Sequence, residues 1–252
     1  AKTGFAHPAI EAGFQALIPL VKVNGCAGMT VRNSYNCGVL GYHVEQLAEA
    51  GLVAIGFTNS PASIAPAGGN KPVIGTNPFA LAVPNSEGGA KFVLDQSASV
   101  VAKSEIMMRA REGHSIPEGW ALDANGNPTT DPEVALKGSM APSGGYKGFG
   151  TGLLVEVLAA ALSGAMLGIQ ASPFSGTGGG PPKTGQFFLA LDPNAYSGSV
   201  FNERITALTE TIQSQEGARL PGARRMENRK RIDIEGVHAS DSLLEKIKSY
   251  CV

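Results

Sequence analysis

A lysine set among glycines is the first place where this sequence could do chemistry: Gly144-Gly145-Tyr146-Lys147-Gly148-Phe149-Gly150-Thr151-Gly152, at the head of an apolar run. Closely spaced glycines let backbone N–H groups approach an anion, and the start of the helix that follows favours negative charge. The dinucleotide fingerprint GxGxxG is not met, because Leu153 stands where its third glycine is required and no clear strand precedes the run. Residues 176–184 resemble a phosphate loop, but Pro182 sits where that loop needs glycine, which excludes Walker-type nucleotide binding. Lys147 keeps two readings, an anion ligand or a solvated lysine in a turn.

A basic cluster near the C-terminus (Arg219, Arg224, Arg225, Arg229, Lys230 and Arg231) is the strongest charge feature. It reads either as a solvated helix face, partly offset by Glu227 and Asp233, or as paired guanidinium groups gripping one phosphate. The loop at 66–72 and the run Gly75-Thr76-Asn77-Pro78 offer hydroxyl, amide and open backbone groups, as binding loops and plain turns both do. Asp95 follows a short apolar run and could cap a turn or take a ligand's hydroxyls. His43 reads as a structural histidine and His114 as a cation at a helix C-terminus, so neither completes an acid–base pair. Cys26, Cys37 and Cys251 are odd in number and far apart, which favours free thiols over disulfides or a zinc site.

Bulk composition narrows the class. A net charge of −1 argues against a general grip on nucleic-acid phosphates, so any bound anion is small and held locally. The first residues lack the basic and apolar regions of a signal peptide. The apolar run at 151–168 carries Glu156 and reads as a core helix rather than a membrane span. A soluble cytoplasmic protein is expected.

Several elements must position these residues. Apolar spacing predicts helices over 8–23, kinked or ended by Pro19, over 42–50, closed by Gly51, and over 100–112, 148–167, 200–215 and 240–250. The helix at 148–167 is apolar nearly all round and is therefore expected to be central. Strands are expected over 26–32, 52–57, 79–83, 92–94 and 187–191, the second buried on both faces. Residues 34–41, 60–78 and 116–138 read as loops, the last with a turn at Asn125-Gly126, and 176–182 as a glycine-proline linker. Alternation of strands and helices with hairpin-linked neighbours indicates an α/β fold with a mixed sheet, its helical ends packed apart.

Taken in order, the segments RNSYNCGVLGYHVEQLAEAGLVAIGFTNS, APAGGNKPVIGTNPFALAVP, LDQSASVVAKSEI, IPEGWALDANGNPTTDP, GGYKGFG, GQFFLALDP and RLPGARR resemble the malate/L-lactate dehydrogenase-like oxidoreductases, also called L-sulfolactate dehydrogenase-like. The resemblance covers nearly the whole chain. It implies a non-Rossmann NAD(P)-binding fold on a mixed, seven-stranded-type sheet flanked by helices. The cofactor-binding domain would span 31–204, with 1–30 and 205–252 forming a helical, dimerising portion. Implied cofactor contacts are Asn36, Cys37, Gly38, Val39, Leu40, Ser60, Asp95, Gln96, Ser97, Lys147, Gly148, Gly222, Arg224 and Arg225. Thr76 would contact substrate, and Glu105 would be the acidic partner of a catalytic histidine.

Two departures from the family pattern shape the functional expectation. Members begin one helical segment earlier, with a Ser-His pair and a substrate-binding arginine that this sequence lacks, so the 252 residues alone are expected to turn over little or no substrate. Ureidoglycolate-type members have a histidine where Asn36 stands, and an amide exchanges no proton at neutral pH. The resemblance therefore implies an NADPH-dependent (alternatively NADH-dependent) homodimeric reductase of a small 2-oxo or cyclic 2-imino carboxylate, of the piperideine-2-carboxylate or pyrroline-2-carboxylate type. A malate/L-lactate-type 2-hydroxy acid dehydrogenase is the alternative within the class, and a non-catalytic cofactor-binding or dimerisation fragment the alternative outside it.

Overall fold

The computed structural model describes residues 1–176 and 178–251; Thr177, in the expected linker, lies outside the described residues. Helix α1 (His7–Asn24) buries Ile10, Phe14, Leu17 and Val21, one stripe at helical spacing. It ends at Gly25, whose positive φ of 79° closes the last turn on the Val21 carbonyl. Pro19 neither ends nor divides this helix. It lies on the solvent side, where water can serve the carbonyl that a proline leaves without an N–H partner. Strand β1 (Cys26–Ser34) follows, then α2 (Leu40–Glu49), β2 (Val53–Thr58), and β3 (Phe79–Pro84) with β4 (Ala90–Gln96). Next come α3 (Lys103–Glu112), the short strands β5 (Ala121–Leu122) and β6 (Pro128–Thr129), α4 (Pro132–Lys137) and β7 (Ser139–Met140). Helix α5 (Tyr146–Val155) runs into a π-helical segment, Glu156–Ala161, and the chain closes with β8 (Thr184–Leu191), α6 (Pro193–Ser197), α7 (Val200–Gln213), α8 (Ala223–Glu235) and α9 (Asp241–Lys248).

The α/β class stands, with a sheet flanked by helices, but the sheet differs in detail from expectation. Among the described residues it has five strands rather than seven, in the order β1-β8-β2-β3-β4, and every neighbouring pair is antiparallel rather than mixed. Antiparallel neighbours can be joined by tight turns, as β3 and β4 are through Gly88 and Gly89, both at positive φ. A separate three-stranded sheet, β6-β5-β7, has two of its strands inside the stretch expected to be loop and the third just after it. The turn at Asn125-Gly126 is the hairpin between β5 and β6, with Gly126 at φ 89° and the Asp123 carboxylate accepting the Asn125 and Asn127 N–H groups.

Side chains alternate across the main sheet. Phe188 and Ala190 face α1 and α2, in a core with Phe14, Val21, Leu40, Val44, Leu47 and Leu52. The Phe14 and Phe188 rings meet edge to face at 5.1 Å. Phe57 and Phe187 line the other face and stack against each other beside Val155 and Ala159 of α5 and its π-helical extension. Ile64, Ile74, Ile106, Ile116 and Met140 make a second core around the small sheet and α3. The boundaries expected at 30/31 and 204/205 pass through β1 and α7.

The helix expected at 148–167 is shorter and less central than its composition suggested. One side packs on the sheet, while Leu153, Leu154, Val157 and Leu162 remain about half exposed among the described residues. No helix among the described residues is long and apolar enough to cross a membrane.

His43 is buried, and its Nε2 lies 2.7 Å from the Cys37 carbonyl, to which it donates as the Nε2–H form. Burial is the main cause that lowers its pKa below the ordinary 6.5. A depressed histidine pKa gives stability that is complete above pH 6.5 and is lost as pH falls through the folded-state value, because the unfolded chain takes the proton first. The melting temperature should therefore fall more between pH 7.5 and 5.5 in the parent than in His43→Gln, which keeps a donor but does not titrate. Equal slopes in the two proteins would remove His43 from this role.

Candidate functional site

The end of β4 and the segment leading into α8 wall a cavity of about 600 Å³, lined by Asp95, Gln96, Arg219, Gly222, Arg224 and Arg225 among others. Asp95 Oδ2 accepts the Gly41 N–H at 2.7 Å and stands 4.0 Å from Arg225 Nη1. Helix α2 has no side-chain cap of its own, so this carboxylate caps it from another strand. Both glycines are required by close approach. A Cβ on Gly41 would lie 2.8 Å from Asp95 Oδ2, and one on Gly222, at φ 81°, would lie 2.7 Å from the Val93 carbonyl. Arg225 Nη2 is buried and has no hydrogen-bond partner. Three guanidinium groups against one carboxylate, with one buried donor unfilled, suit an anionic ligand and fit the phosphates of a nicotinamide dinucleotide.

The basic cluster thus divides. Arg229 makes a fork on Glu45, at 3.0 and 2.9 Å, and holds α8 to α2, Arg231 lies 3.8 Å from Glu235 on the exposed side of the same helix, and Lys230 borders a separate cavity with Gln213 and Met226. Arg219, Arg224 and Arg225 remain on the cavity.

The loop leading into α2 splits in a similar way. Asn36 is half-buried and its Oδ1 accepts the Gly38 N–H at 2.6 Å, while Gly38 and Val39 are exposed. The Cys37 and Leu40 side chains are buried in the core beneath the sheet's helices, so neither offers a side chain to a ligand. Burial pushes the Cys37 thiol up to about 11, which keeps it protonated and unreactive.

A second group of candidates meets farther along the same strand edge. Ser60 Oγ accepts the Thr76 N–H at 3.0 Å and lies 3.3 Å from Thr76 Oγ1. The Thr76 carbonyl accepts the Ala98 N–H, and the Ala98 carbonyl accepts that of Ser143, each at 2.8 Å. Ser97 and Ser99 exchange a hydroxyl hydrogen bond at 3.0 Å. Gly148 is packed so closely that a Cβ there would lie 2.2 Å from the Ser143 carbonyl. The continuation of β4 through Asp95-Gln96-Ser97 therefore joins the arginine-lined cavity to Thr76 and to the first turn of α5. Lys147 is exposed on that turn, where the helix dipole also favours an anion. The loop at 66–72 borders a separate cavity of about 470 Å³ with Leu122, Met140 and Tyr146.

Glu105 is not brought against any histidine among the described residues. It sits in the first turn of α3, paired with Arg109 at 3.3 Å, and Arg109 also lies over the Trp120 ring at 5.1 Å. Asn77 falls in the run 75–78 that reads as either binding groups or a plain turn, whereas Gly41 and Glu156 are not among the candidates, Glu156 serving only as an argument against a membrane span. Its signal was a lone carboxylate in an apolar helix, which demands a buried partner.

Residues 1–248 match the family model described as malate/L-lactate dehydrogenase. The chain is 42% identical over 252 residues to a (2R)-3-sulfolactate dehydrogenase (NADP(+)) of Chromohalobacter salexigens, covering all of this chain and 75% of that protein. It is 37% identical to a Δ1-pyrroline-2-carboxylate reductase of Ancylobacter novellus, over 99% of this chain and 74% of the relative. Among solved structures it superposes on Δ1-piperideine-2-carboxylate reductase from Pseudomonas syringae with a TM-score of 0.89 at 34% identity, covering 98% of this chain and 74% of the other. The sulfolactate dehydrogenase of Methanocaldococcus jannaschii gives 0.84 at 29% identity, over 96% and 71%. The chain spans about three quarters of the length of these relatives. It belongs to the malate/L-lactate dehydrogenase family of oxidoreductases.

Proposed function

We propose that this protein reduces a small 2-oxo or cyclic 2-imino carboxylate with NADPH, the first candidates being piperideine-2-carboxylate and pyrroline-2-carboxylate. The observation that carries the reading is the cavity where Arg225, with one buried donor unfilled, faces Asp95 on a strand that runs on to Thr76. When bound, the cofactor supplies a hydride to C2 of the substrate. Asp95, whose Oδ2 is already engaged by Gly41, keeps Oδ1 for a ligand hydroxyl. Gln96 and Ser97 extend that edge, Gly222 admits the ligand close to the backbone, and Arg224 and Arg225 take the 2′-phosphate. Gly38 and Val39, with Asn36 holding their turn, border the cofactor together with Ser60 and Gly148, and Lys147 offsets its negative charge. Thr76 donates its hydroxyl to the substrate carboxylate. Asn36 can orient a group but cannot protonate it, so the proton comes from another acid, with Glu105 as that acid's carboxylate partner.

A sulfolactate-type 2-hydroxy acid is the second reading, supported by the 42% identity to a sulfolactate dehydrogenase. The same proposal assigns the protein to the cytoplasm, in keeping with three free thiols, and makes it a homodimer. The half-exposed apolar side of α5 and the helices at the chain ends would supply the contact between copies. NADPH oxidation by the full-length polypeptide with the two imino acids and pyruvate, set beside NADP+ reduction with sulfolactate and malate, separates the readings. Greatest kcat/KM on an imino acid is expected, and greatest kcat/KM on sulfolactate would select the second.

Hydrogen bonds between charged partners contribute about 1.5–3 kcal/mol each, equivalent to roughly a ten- to hundredfold preference. Replacing Arg224 and Arg225 together by Ala should lower the preference for NADPH over NADH by at least about tenfold, with NADH kinetics little changed. Equal weakening of both cofactors would move these arginines to the pyrophosphate or to the fold. Lys147→Ala should raise the cofactor KM while leaving the melting temperature unchanged, and an unchanged KM would return Lys147 to a solvated turn.

A further inference from the structure

Glu156 is a buried carboxylate, 5% exposed, in a helix otherwise made of apolar and small residues. Both of its oxygens are used. Oε2 accepts from Asn77 Nδ2 at 2.7 Å, and Oε1 accepts the Gly168 N–H at 2.6 Å. The helix widens to its π-form at this residue, and Val155 and Glu156, although adjacent, are both buried. Val155 joins the Phe57 cluster, whereas Glu156 reaches Asn77.

Asn77 is the other half of the device. It is fully buried at a positive φ of 38° immediately before Pro78, a conformation that persists only when its surroundings impose it. Its amide is fully committed: Nδ2 also donates to the Gly152 carbonyl at 2.9 Å, and Oδ1 accepts the Ser60 N–H at 3.1 Å. Around it the chain segments touch without slack. A Cβ on Gly75 would fall 2.1 Å from Ser60 Oγ, and one on Gly168 would fall 3.0 Å from the Ser60 carbonyl. One carboxylate thus clamps the segments carrying Ser60, Thr76 and Gly168.

We propose that Glu156 is a positioning residue that acts through Asn77, and through the Ser60 segment bonded to Thr76, to set Thr76 for the substrate. The proposal rests on the assignment of Thr76 to the substrate site. Glu156→Gln keeps size and shape but turns an amide donor toward a donor, either the Asn77 amide or the Gly168 N–H. It should lower kcat/KM for the imino-acid substrate at least about tenfold, while NADPH affinity, read by fluorescence titration, changes less than about threefold. Where Glu156→Gln is too unstable to assay, Glu156→Asp, which keeps the carboxylate on a shorter arm that draws it away from Asn77 and Gly168, is the second variant, and it should likewise lower kcat/KM with NADPH affinity little changed. Two results overturn the proposal: kcat/KM within twofold of the parent in both variants, or equal loss of substrate and NADPH affinity. Thr76→Val separates this from the site assignment. An unchanged substrate KM there removes Thr76 from the site, whereas a raised KM beside a normal Glu156→Gln defeats the positioning role alone.

Discussion

The Asp95 carboxylate ties together three elements that are distant in sequence: the end of β4, the start of α2 and the first turn of α8. Its hydrogen bond from the Gly41 N–H, at 2.7 Å, is a charged one and contributes about 1.5–3 kcal/mol where water is partly excluded. Its pairing with Arg225 is long, at 4.0 Å, and leaves the guanidinium partly exposed, so the attraction is weak, on the order of 1 kcal/mol or less. The difference decides what each contact does. The Gly41 bond fixes the carboxylate, and the weakly held guanidinium keeps the donor that a ligand's phosphate would take.

That arrangement depends on a sheet in which an interior strand, β8, comes from late in the chain and pairs with both β1 and β2. Phe188 on one face and Phe187 on the other anchor the two helical layers. With β8 in place, β2 and β3 bring Thr58 and Phe79 to one end of the sheet, and the loops that leave there carry Ser60 and Thr76. The site is thus a consequence of antiparallel pairing. Its two halves lie along one strand edge rather than at the switch point of a parallel sheet, which accounts for the absence of a GxGxxG turn.

Local signals in the sequence carried far. The apolar stripe of α1, the Gly51 stop after α2, the turn between β3 and β4 and the Asn125-Gly126 hairpin are all written in a few adjacent residues, and the structure has each of them. Pairings across long separations are not written locally. Nothing in residues 26–34 indicates that they join residues 184–191, and the short strands around Ala121 are too brief to leave an alternating pattern. The candidate site residues follow the same division. Arg224, Arg225 and Lys147 were visible as charges beside glycines, whereas Cys37 and Leu40 could not be assigned to the core until the direction of α2 was known. Glu156 argues against a membrane span from sequence alone, but its role depends on Asn77 being placed opposite it.

The central claim is that one continuous edge, from Val93 to Ser99 with the turn before α8, receives the cofactor. Hydrogen–deuterium exchange with and without NADPH tests it directly, because binding protects the amides it covers. Slower exchange on adding NADPH is expected in peptides spanning 93–99 and 219–226, with weaker protection at 36–41. Protection confined to the glycine-rich stretch at 178–184, with 93–99 and 219–226 unchanged, would contradict the account.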